Sequence, residues 1–145
     1  MKSFDDLGLS GQLVETIRQM GFETPTPIQE KAIPILLQGN TDLVGLAQTG
    51  TGKTAAFGLP LLQLVDAKNR DTQALVLAPT RELSVQITND LENFSKDLAD
   101  FNITTVYGGA SISDQIRKIK RGAQIIVATP GRLIDLIERK VVNLG

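Results

Sequence analysis

Short apolar runs alternate along the chain with segments that carry apolar residues at helical spacing. Continuous apolar runs are typical of parallel strands that are covered on both faces. Three such runs predict buried strands at 43–47, 74–78 and 125–128. A fourth run, at 103–107, alternates apolar and polar residues, which favours a strand nearer the edge of the sheet.

Five segments between and around these runs have apolar residues three and four positions apart, as amphipathic helices do. Their apolar positions are Leu13, Ile17 and Met20; Ile28, Ala32, Ile35 and Leu36; Leu83, Ile87, Leu91, Phe94 and Leu98; Ile112, Ile116 and Ile119; and Leu133, Leu136, Ile137 and Val141. Ser10 has the residue type of an N-cap for the first helix. The alternation predicts an α/β fold, a parallel sheet flanked by helices, with ligands at the carboxyl ends of the strands.

The composition excludes several kinds of chemistry. The 145 residues include no cysteine and no histidine, which rules out disulfides, thiol nucleophiles and Ser-His-Asp triads and argues against a zinc site. A chain without cysteine suits a reducing compartment, so we expect a cytoplasmic protein. No apolar run approaches the roughly 20 residues that span a bilayer, and we expect no membrane association. The net charge of -1 gives no sign of nucleic-acid binding, which must therefore be argued from local sites.

A glycine-rich segment joins the predicted strand at 43–47 to an apolar helix. It reads Ala47, Gln48, Thr49, Gly50, Thr51, Gly52, Lys53 and Thr54. The glycines let backbone N–H groups surround a phosphate, and the start of the helix adds unsatisfied donors. Lys53 would contact the β and γ phosphates and the Thr54 hydroxyl would ligate Mg²⁺, so these two are the candidate catalytic residues. The alternative is a strand-to-helix turn without a ligand.

This pattern, with alanine in place of the usual leading glycine, resembles the phosphate loop of the DEAD-box ATP-dependent RNA helicases. Further segments resemble other motifs of that family and follow in the family's order. They are 21–29 (Q motif), 79–83 (motif Ia), 108–109 (Gly-Gly) and 129–132 (motif Ib), with Phe4 at the place of an isolated aromatic. The resemblance covers nearly the whole chain and implies a RecA-like P-loop NTPase fold that binds ATP, Mg²⁺ and RNA.

The resemblance implies that Phe22, Thr24 and Gln29 bind the adenine of ATP. An amide carries both a donor and an acceptor, which suits the edge of adenine, whereas guanine presents the opposite pattern. An aromatic ring beside a glycine turn is able to stack on a base. Three alternatives stay open: a core contact for Phe22, a solvated helix position for Gln29, and simple packing of the first helix for Phe4.

Residues after three of the predicted strands are candidate RNA contacts. They are Pro79, Thr80, Arg81, Gly108, Gly109, Thr129, Gly131 and Arg132. Hydroxyls at helix starts and nearby arginines form anion sites, and the resemblance implies a sequence-independent grip on the RNA backbone. The alternative for each threonine is helix capping alone. The basic run at 117–121 is interpreted instead as a solvated helix face, because Ile119 shares the apolar stripe of Ile112 and Ile116.

One expected feature is missing: the sequence holds no Asp-Glu pair. The family's Asp-Glu-Ala-Asp motif would hold Mg²⁺ together with Thr54 and would lie on a strand beside 43–47. We therefore expect residues 1–145 to form part of a first RecA-like domain, incomplete at its C-terminal end, with the Q motif region at 2–30. We expect these residues to contain no second RecA-like domain, which the resemblance implies as the partner of the first.

We expect this stretch alone to be poorly soluble and inactive in hydrolysis. The alternatives are another P-loop NTPase or nucleotide kinase, which a preference for GTP would favour, and a non-catalytic module that binds RNA or ATP.

Overall fold

A computed structural model of the chain describes residues 3–46, 52–98 and 101–143. The chain forms two compact units. The first unit consists of Met1–Val65 and Asp90–Ala99, and the second of Asp66–Asn89 and Asp100–Gly145. Among the described residues, no helix combines the length and the apolar character that crossing a membrane requires.

The described part of the first unit is helical. A 3₁₀ turn at Phe4–Leu7 is followed by α1 (Gly11–Gln19), α2 (Pro27–Leu37) and α3 (Lys53–Leu64). Its core contains aromatic and aliphatic side chains from all of these elements, namely Phe4, Leu7, Leu13, Val14, Ile17, Ala32, Ile33, Leu59 and Leu62.

The two early helices are confirmed, and so is the start of α1. The Ser10 hydroxyl accepts a hydrogen bond from the Leu13 N–H at 3.3 Å, as an N-cap does. The predicted buried face of α2 is wrong at Ile35, which is 37% exposed. The buried stripe of α2 instead consists of Gln29, Ala32 and Ile33. A glutamine occupies this stripe because both ends of its amide find partners inside the protein.

The strand predicted at 43–47 is wrong over its described residues. Positions 43–46 have no regular secondary structure, and Val44 and Leu46 are 87% and 92% exposed. Ala47 lies outside the described residues. A parallel strand that is covered on both faces requires neighbouring strands for its hydrogen bonds. In the described part of the chain, the segment 43–46 has no such neighbour.

The second unit contains a parallel sheet of β1 (Ala74–Leu77), β2 (Ile103–Val106) and β3 (Ile125–Ala128). The strand order is β1-β3-β2. Leu77 and Val106 both pair with Ala128, so the three carboxyl ends lie at one edge of the sheet. All four residues of β3 are buried, which confirms the burial predicted for this continuous apolar run. The alternating strand β2 lies at the edge, as its pattern predicted.

Two predicted faces in this unit need correction. Strand β1 was expected to be covered on both faces, but Leu77 is 56% exposed, because β1 pairs on one side only in the described sheet. Helix α4 (Arg81–Phe94) buries Ser84 and Thr88, whereas Leu83 is 37% exposed. The two hydroxyls donate to the carbonyls of Arg81 and Ser84 within the helix, so their burial leaves no polar atom unpaired.

The helices α5 (Ile112–Lys120) and α6 (Pro130–Glu138) occupy their predicted places. The last helix ends earlier than the pattern through Val141 predicted, because Lys140 adopts a left-handed backbone with φ of 60°. Apolar side chains of the strands, α5 and α6 form one buried cluster, which contains Val106, Ile119, Ala123, Ile126, Ala128, Leu133, Leu136 and Val142.

Candidate nucleotide and RNA sites

The end of the glycine-rich loop leads directly into α3. Ala47, Gln48, Thr49, Gly50 and Thr51 lie outside the described residues. Gly52 is the N-cap of α3, with φ of 80°, and Lys53 and Thr54 are the first two helical residues. Lys53 is exposed and Thr54 half-buried. The first turn of α3 contains no acidic residue, so its unsatisfied N–H groups and its positive helix end favour an anion.

Gln29 connects the start of α2 to this loop. Its side-chain Oε1 accepts from the Thr26 N–H at 2.9 Å, and its Nε2 donates to the Gly52 carbonyl at 3.2 Å. The residue is 1% exposed, so the interpretation as a solvated helix position is wrong. An amide has two donor hydrogens and two acceptor lone pairs, so each end has the capacity for one further hydrogen bond.

The packing around Gly52 leaves no room for a side chain. A Cβ atom there would overlap Gln29 Nε2 and would lie 3.4 Å from the Thr26 hydroxyl. That hydroxyl is buried and has no hydrogen-bond partner among the described residues. An unpaired buried oxygen beside a positive-φ glycine at a helix start fits a site for a polar, anionic ligand.

The described residues contain no metal-binding cluster: nowhere do three acidic, histidine or cysteine side chains come together. Thr54 directly follows Lys53 at the start of α3, which is the position from which a hydroxyl would ligate Mg²⁺.

Phe22 belongs to an aromatic cluster. Its ring lies edge-to-face with Phe4, at 6.1 Å between centroids, and with Phe94, at 5.8 Å. Phe4 is buried and Phe22 half-buried, so both make the core contacts that were one of their open interpretations. Thr24, the third predicted adenine contact, is exposed.

The predicted RNA contacts all follow strands of the second unit and share one edge of its sheet. Pro79 and Thr80 follow β1 and are exposed, and the Thr80 hydroxyl accepts from the Leu83 N–H at 3.1 Å. Gly108 and Gly109 follow β2 and are exposed, with φ of 85° at Gly109. The exposed Gly131 lies in the first turn of α6.

The second threonine behaves differently from the first. Thr129 is the N-cap residue of α6, but its side chain makes no capping hydrogen bond. Its backbone N–H donates to the Val106 carbonyl at 3.0 Å, which joins the ends of β3 and β2.

The two arginines of this edge have different surroundings. Arg132 is half-buried, and its Nη1 donates to Gln115 Oε1 at 3.0 Å and to the Ala110 carbonyl at 3.3 Å. It therefore holds the turn around the two glycines. Arg81 is exposed, and its guanidinium carbon lies 4.7 Å from the ring centroid of Tyr107.

The sequence analysis missed Gln115 and Tyr107. Gln115 is buried, and its Nε2 donates to the Tyr107 carbonyl at 3.1 Å, so it links α5, the end of β2 and Arg132. One signal was available for Gln115, which is a polar residue at a core-facing position between Ile112 and Ile119. No comparable pattern marks Tyr107.

The basic run at 117–121 is a solvated helix face, as predicted. Ile119 is buried, whereas the four basic residues around it are exposed. Arg117 forms an ion pair with Asp114 one turn earlier on α5.

Comparison with known proteins identifies the family. A model of the DEAD/DEAH box helicase family matches residues 26–144. The ATP-dependent RNA helicase CshA of Listeria monocytogenes is 50% identical over 144 residues, which are 99% of this chain and 27% of that protein. The chain therefore spans about a quarter of that relative's length.

Two solved structures are also similar. A DEAD box protein from Methanococcus jannaschii is 43% identical, with a TM-score of 0.92 over 98% of this chain and 38% of its own. A Saccharomyces cerevisiae Dbp5 variant bound to RNA and ADP BeF3 is 36% identical, with a TM-score of 0.86 over 99% of this chain and 36% of its own. The chain belongs to the DEAD/DEAH box helicase family and has its RecA-like fold.

Proposed function

We propose that this chain is the ATP-binding and RNA-binding part of an ATP-dependent RNA helicase, located in the cytoplasm. The observation that carries the proposal is the junction of Gln29, Gly52 and the start of α3. It combines an adenine-compatible amide, a loop glycine with no room for a side chain, and a helix start that favours phosphate. One relative named above is an ATP-dependent RNA helicase and another is a DEAD box protein, in agreement with this assignment.

Each residue of the nucleotide site has a chemical role in this proposal. The backbone around Gly52 and the first turn of α3 bind phosphate oxygens through N–H groups. Lys53 places a positive charge on the β and γ phosphates, and the Thr54 hydroxyl ligates Mg²⁺. When bound, ATP would supply the phosphoryl group and Mg²⁺ would neutralise part of its negative charge. Gln29 orients the end of the loop and offers its free donor and acceptor to adenine, while Phe22 and Thr24 lie next to the base.

The edge of the sheet in the second unit binds RNA. Backbone groups at the two glycines and at the starts of α4 and α6 approach successive phosphates, and Arg81 adds a charge. These contacts are made to the sugar-phosphate backbone of the RNA, so binding does not depend on the RNA sequence. The Dbp5 variant at a TM-score of 0.86 is bound to RNA, which supports RNA as the partner. In the full-length helicase, ATP binding and hydrolysis by two RecA-like domains drive local unwinding of short duplexes.

These 145 residues alone bind ATP without hydrolysing it, because the sequence contains no Asp-Glu pair to complete the magnesium site.

The function is tested with Lys53→Ala in the full-length protein. We expect RNA-stimulated ATP hydrolysis to fall by about 100-fold or more, since a positive charge on the transferred group is lost. Lys96→Ala, which removes an exposed lysine elsewhere in the first unit, is the control and should leave the rate unchanged. Undiminished turnover in the Lys53 variant would mean that the phosphate loop is misassigned.

A further inference from the structure

Arg81 lies over the ring of Tyr107 at the RNA edge of the second unit. The 4.7 Å between its guanidinium carbon and the ring centroid is within the range of a cation–π contact. This contact uses the charge of the guanidinium and not its N–H hydrogens. Among the described residues, the Arg81 side chain has no hydrogen bond and no ion pair, so its donors are free for an incoming ligand.

The position of Arg81 in its helix favours an intramolecular partner. It is the first residue of α4, where the positive end of the helix disfavours a cation. The next residue, Glu82, has the charge that this end prefers. The exposed Arg81 side chain would otherwise sample many rotamers, and the ring restricts it to those above Tyr107.

Tyr107 is itself held in place. It follows β2 directly, after the fully buried Val106. Its carbonyl accepts from Gln115 Nε2 at 3.1 Å, and Gln115 in turn accepts from Arg132. The ring is half-buried, between this fixed backbone and the exposed guanidinium.

We propose that Tyr107 is a positioning residue for RNA binding. Its ring holds the Arg81 guanidinium at the carboxyl edge of the sheet, with the N–H donors directed to an RNA phosphate, and Tyr107 does not touch the RNA. This inference rests on the proposed function, which assigns Arg81 to the RNA backbone.

The test is a double-mutant cycle in the full-length protein, with a fluorescently labelled single-stranded oligouridine as the probe. Tyr107→Leu removes the ring's charge distribution but keeps an apolar side chain, and should weaken binding about two- to fivefold. Tyr107→Phe and Tyr107→Trp keep the aromatic face and should bind like the original protein. In an Arg81→Ala background, Tyr107→Leu should have no further effect.

The salt dependence gives a second readout. Arg81→Ala should lower the slope of log Kd against log salt by about 0.7, the value for one phosphate contact on a single strand. Tyr107→Leu should lower the slope in part, because Arg81 then occupies the phosphate less often. If the substitution acted only by destabilising the fold, the melting temperature would fall, or RNA binding would weaken in Tyr107→Phe as well.

The outcomes separate this inference from the proposed function. If Tyr107→Leu weakens binding equally with and without Arg81, the ring contacts RNA itself and the positioning role is wrong. The positioning role is also wrong if Tyr107→Phe and Tyr107→Trp bind as weakly as Tyr107→Leu, or if Tyr107→Leu has no effect while Arg81→Ala weakens binding. If Arg81→Ala leaves binding unchanged, the assignment of Arg81 to RNA in the proposed function fails instead.

Discussion

Gln29 occupies the point at which the start of α2 meets the phosphate loop. Its side-chain oxygen accepts from the Thr26 N–H and its side-chain nitrogen donates to the Gly52 carbonyl. The residue is almost completely buried. A buried amide with one partner at each end is oriented by the fold before any ligand binds. In our proposal this orientation is what presents the remaining donor and acceptor to adenine.

Gly52→Ala tests the contact between Gln29 and the loop by adding a single methyl group. The added Cβ would overlap Gln29 Nε2, and the residue would be held at a φ of 80°, which alanine disfavours. Strain of about 1–3 kcal/mol predicts a loss of ATP affinity of at least about fivefold, measured by nucleotide titration.

The control for this substitution is Gly11→Ala at the start of α1, where a Cβ meets nothing within 4 Å. It should bind ATP normally. If Gly52→Ala also bound ATP normally, close packing between Gln29 and the loop would not be needed for the site.

Asp90 provides a prediction about pH. Burial raises the pKa of its carboxyl group above the usual range, so the ionised form is disfavoured in the folded protein. The resulting destabilisation is present at neutral pH and disappears as the pH falls and the folded protein takes up the proton. Asp90→Asn should therefore increase the free energy of unfolding at pH 7, and the gain should shrink toward about pH 4.

Asp71→Asn, on an exposed loop, is the matched control for this measurement, followed by chemical denaturation at each pH. A gain for Asp90→Asn that stayed constant across the pH range would contradict burial as the cause.

Local rules predicted several of these residues well, because the information lies within one turn of the helix. Ser10 and Thr80 were identified as caps from their own sequence neighbourhoods, and both accept the expected backbone hydrogen bond. Gln115 and Tyr107 were missed because their partners are distant in sequence. An arginine that stacks on a tyrosine 26 positions later leaves no periodic signal.

At the scale of elements, α3 and the last turn of α4, which belongs to the first unit, come very close at Gly58. A Cβ at this buried position would lie 2.8 Å from Leu91 Cδ2, and Leu91 is itself fully buried. Glycine inside a helix costs about 1 kcal/mol relative to alanine, but overpacking a core costs about 1–3 kcal/mol. The second effect prevails here, so Gly58 is the residue that permits this approach.

Gly58→Ala should lower the free energy of unfolding by about 1 kcal/mol, measured by denaturant titration. In a Leu91→Val background, which has no δ methyl groups at this position, the same substitution should become neutral or stabilising. A loss of equal size in both backgrounds would show that helix contact at Leu91 is not its cause.

The strands show what a hydrophobic pattern is able to predict. The bounds of β3 agree with the strand predicted at 125–128. This strand forms because the same unit contains its neighbours β1 and β2. The equally apolar segment at 43–46 remains exposed and irregular. Apolarity specifies that a segment benefits from burial, whereas a strand also requires partners, and these are not encoded in its own residues.

At the scale of the whole molecule, the two proposed activities belong to different units. The described nucleotide residues all lie in the first unit, and the candidate RNA residues all lie in the second. The net charge of -1 is compatible with RNA binding, because the proposed contacts are helix starts, glycine backbones and Arg81 rather than a broad basic surface. The proposed RNA binding does not involve the exposed basic face of α5.

The measurement that tests the account most directly is release of the strands of a short RNA duplex by the full-length protein, with ATP, with GTP and without nucleotide. Our account predicts release with ATP alone, since the Gln29 amide suits adenine and not guanine. Equal release with GTP, equal release without nucleotide, or no release with ATP would contradict it.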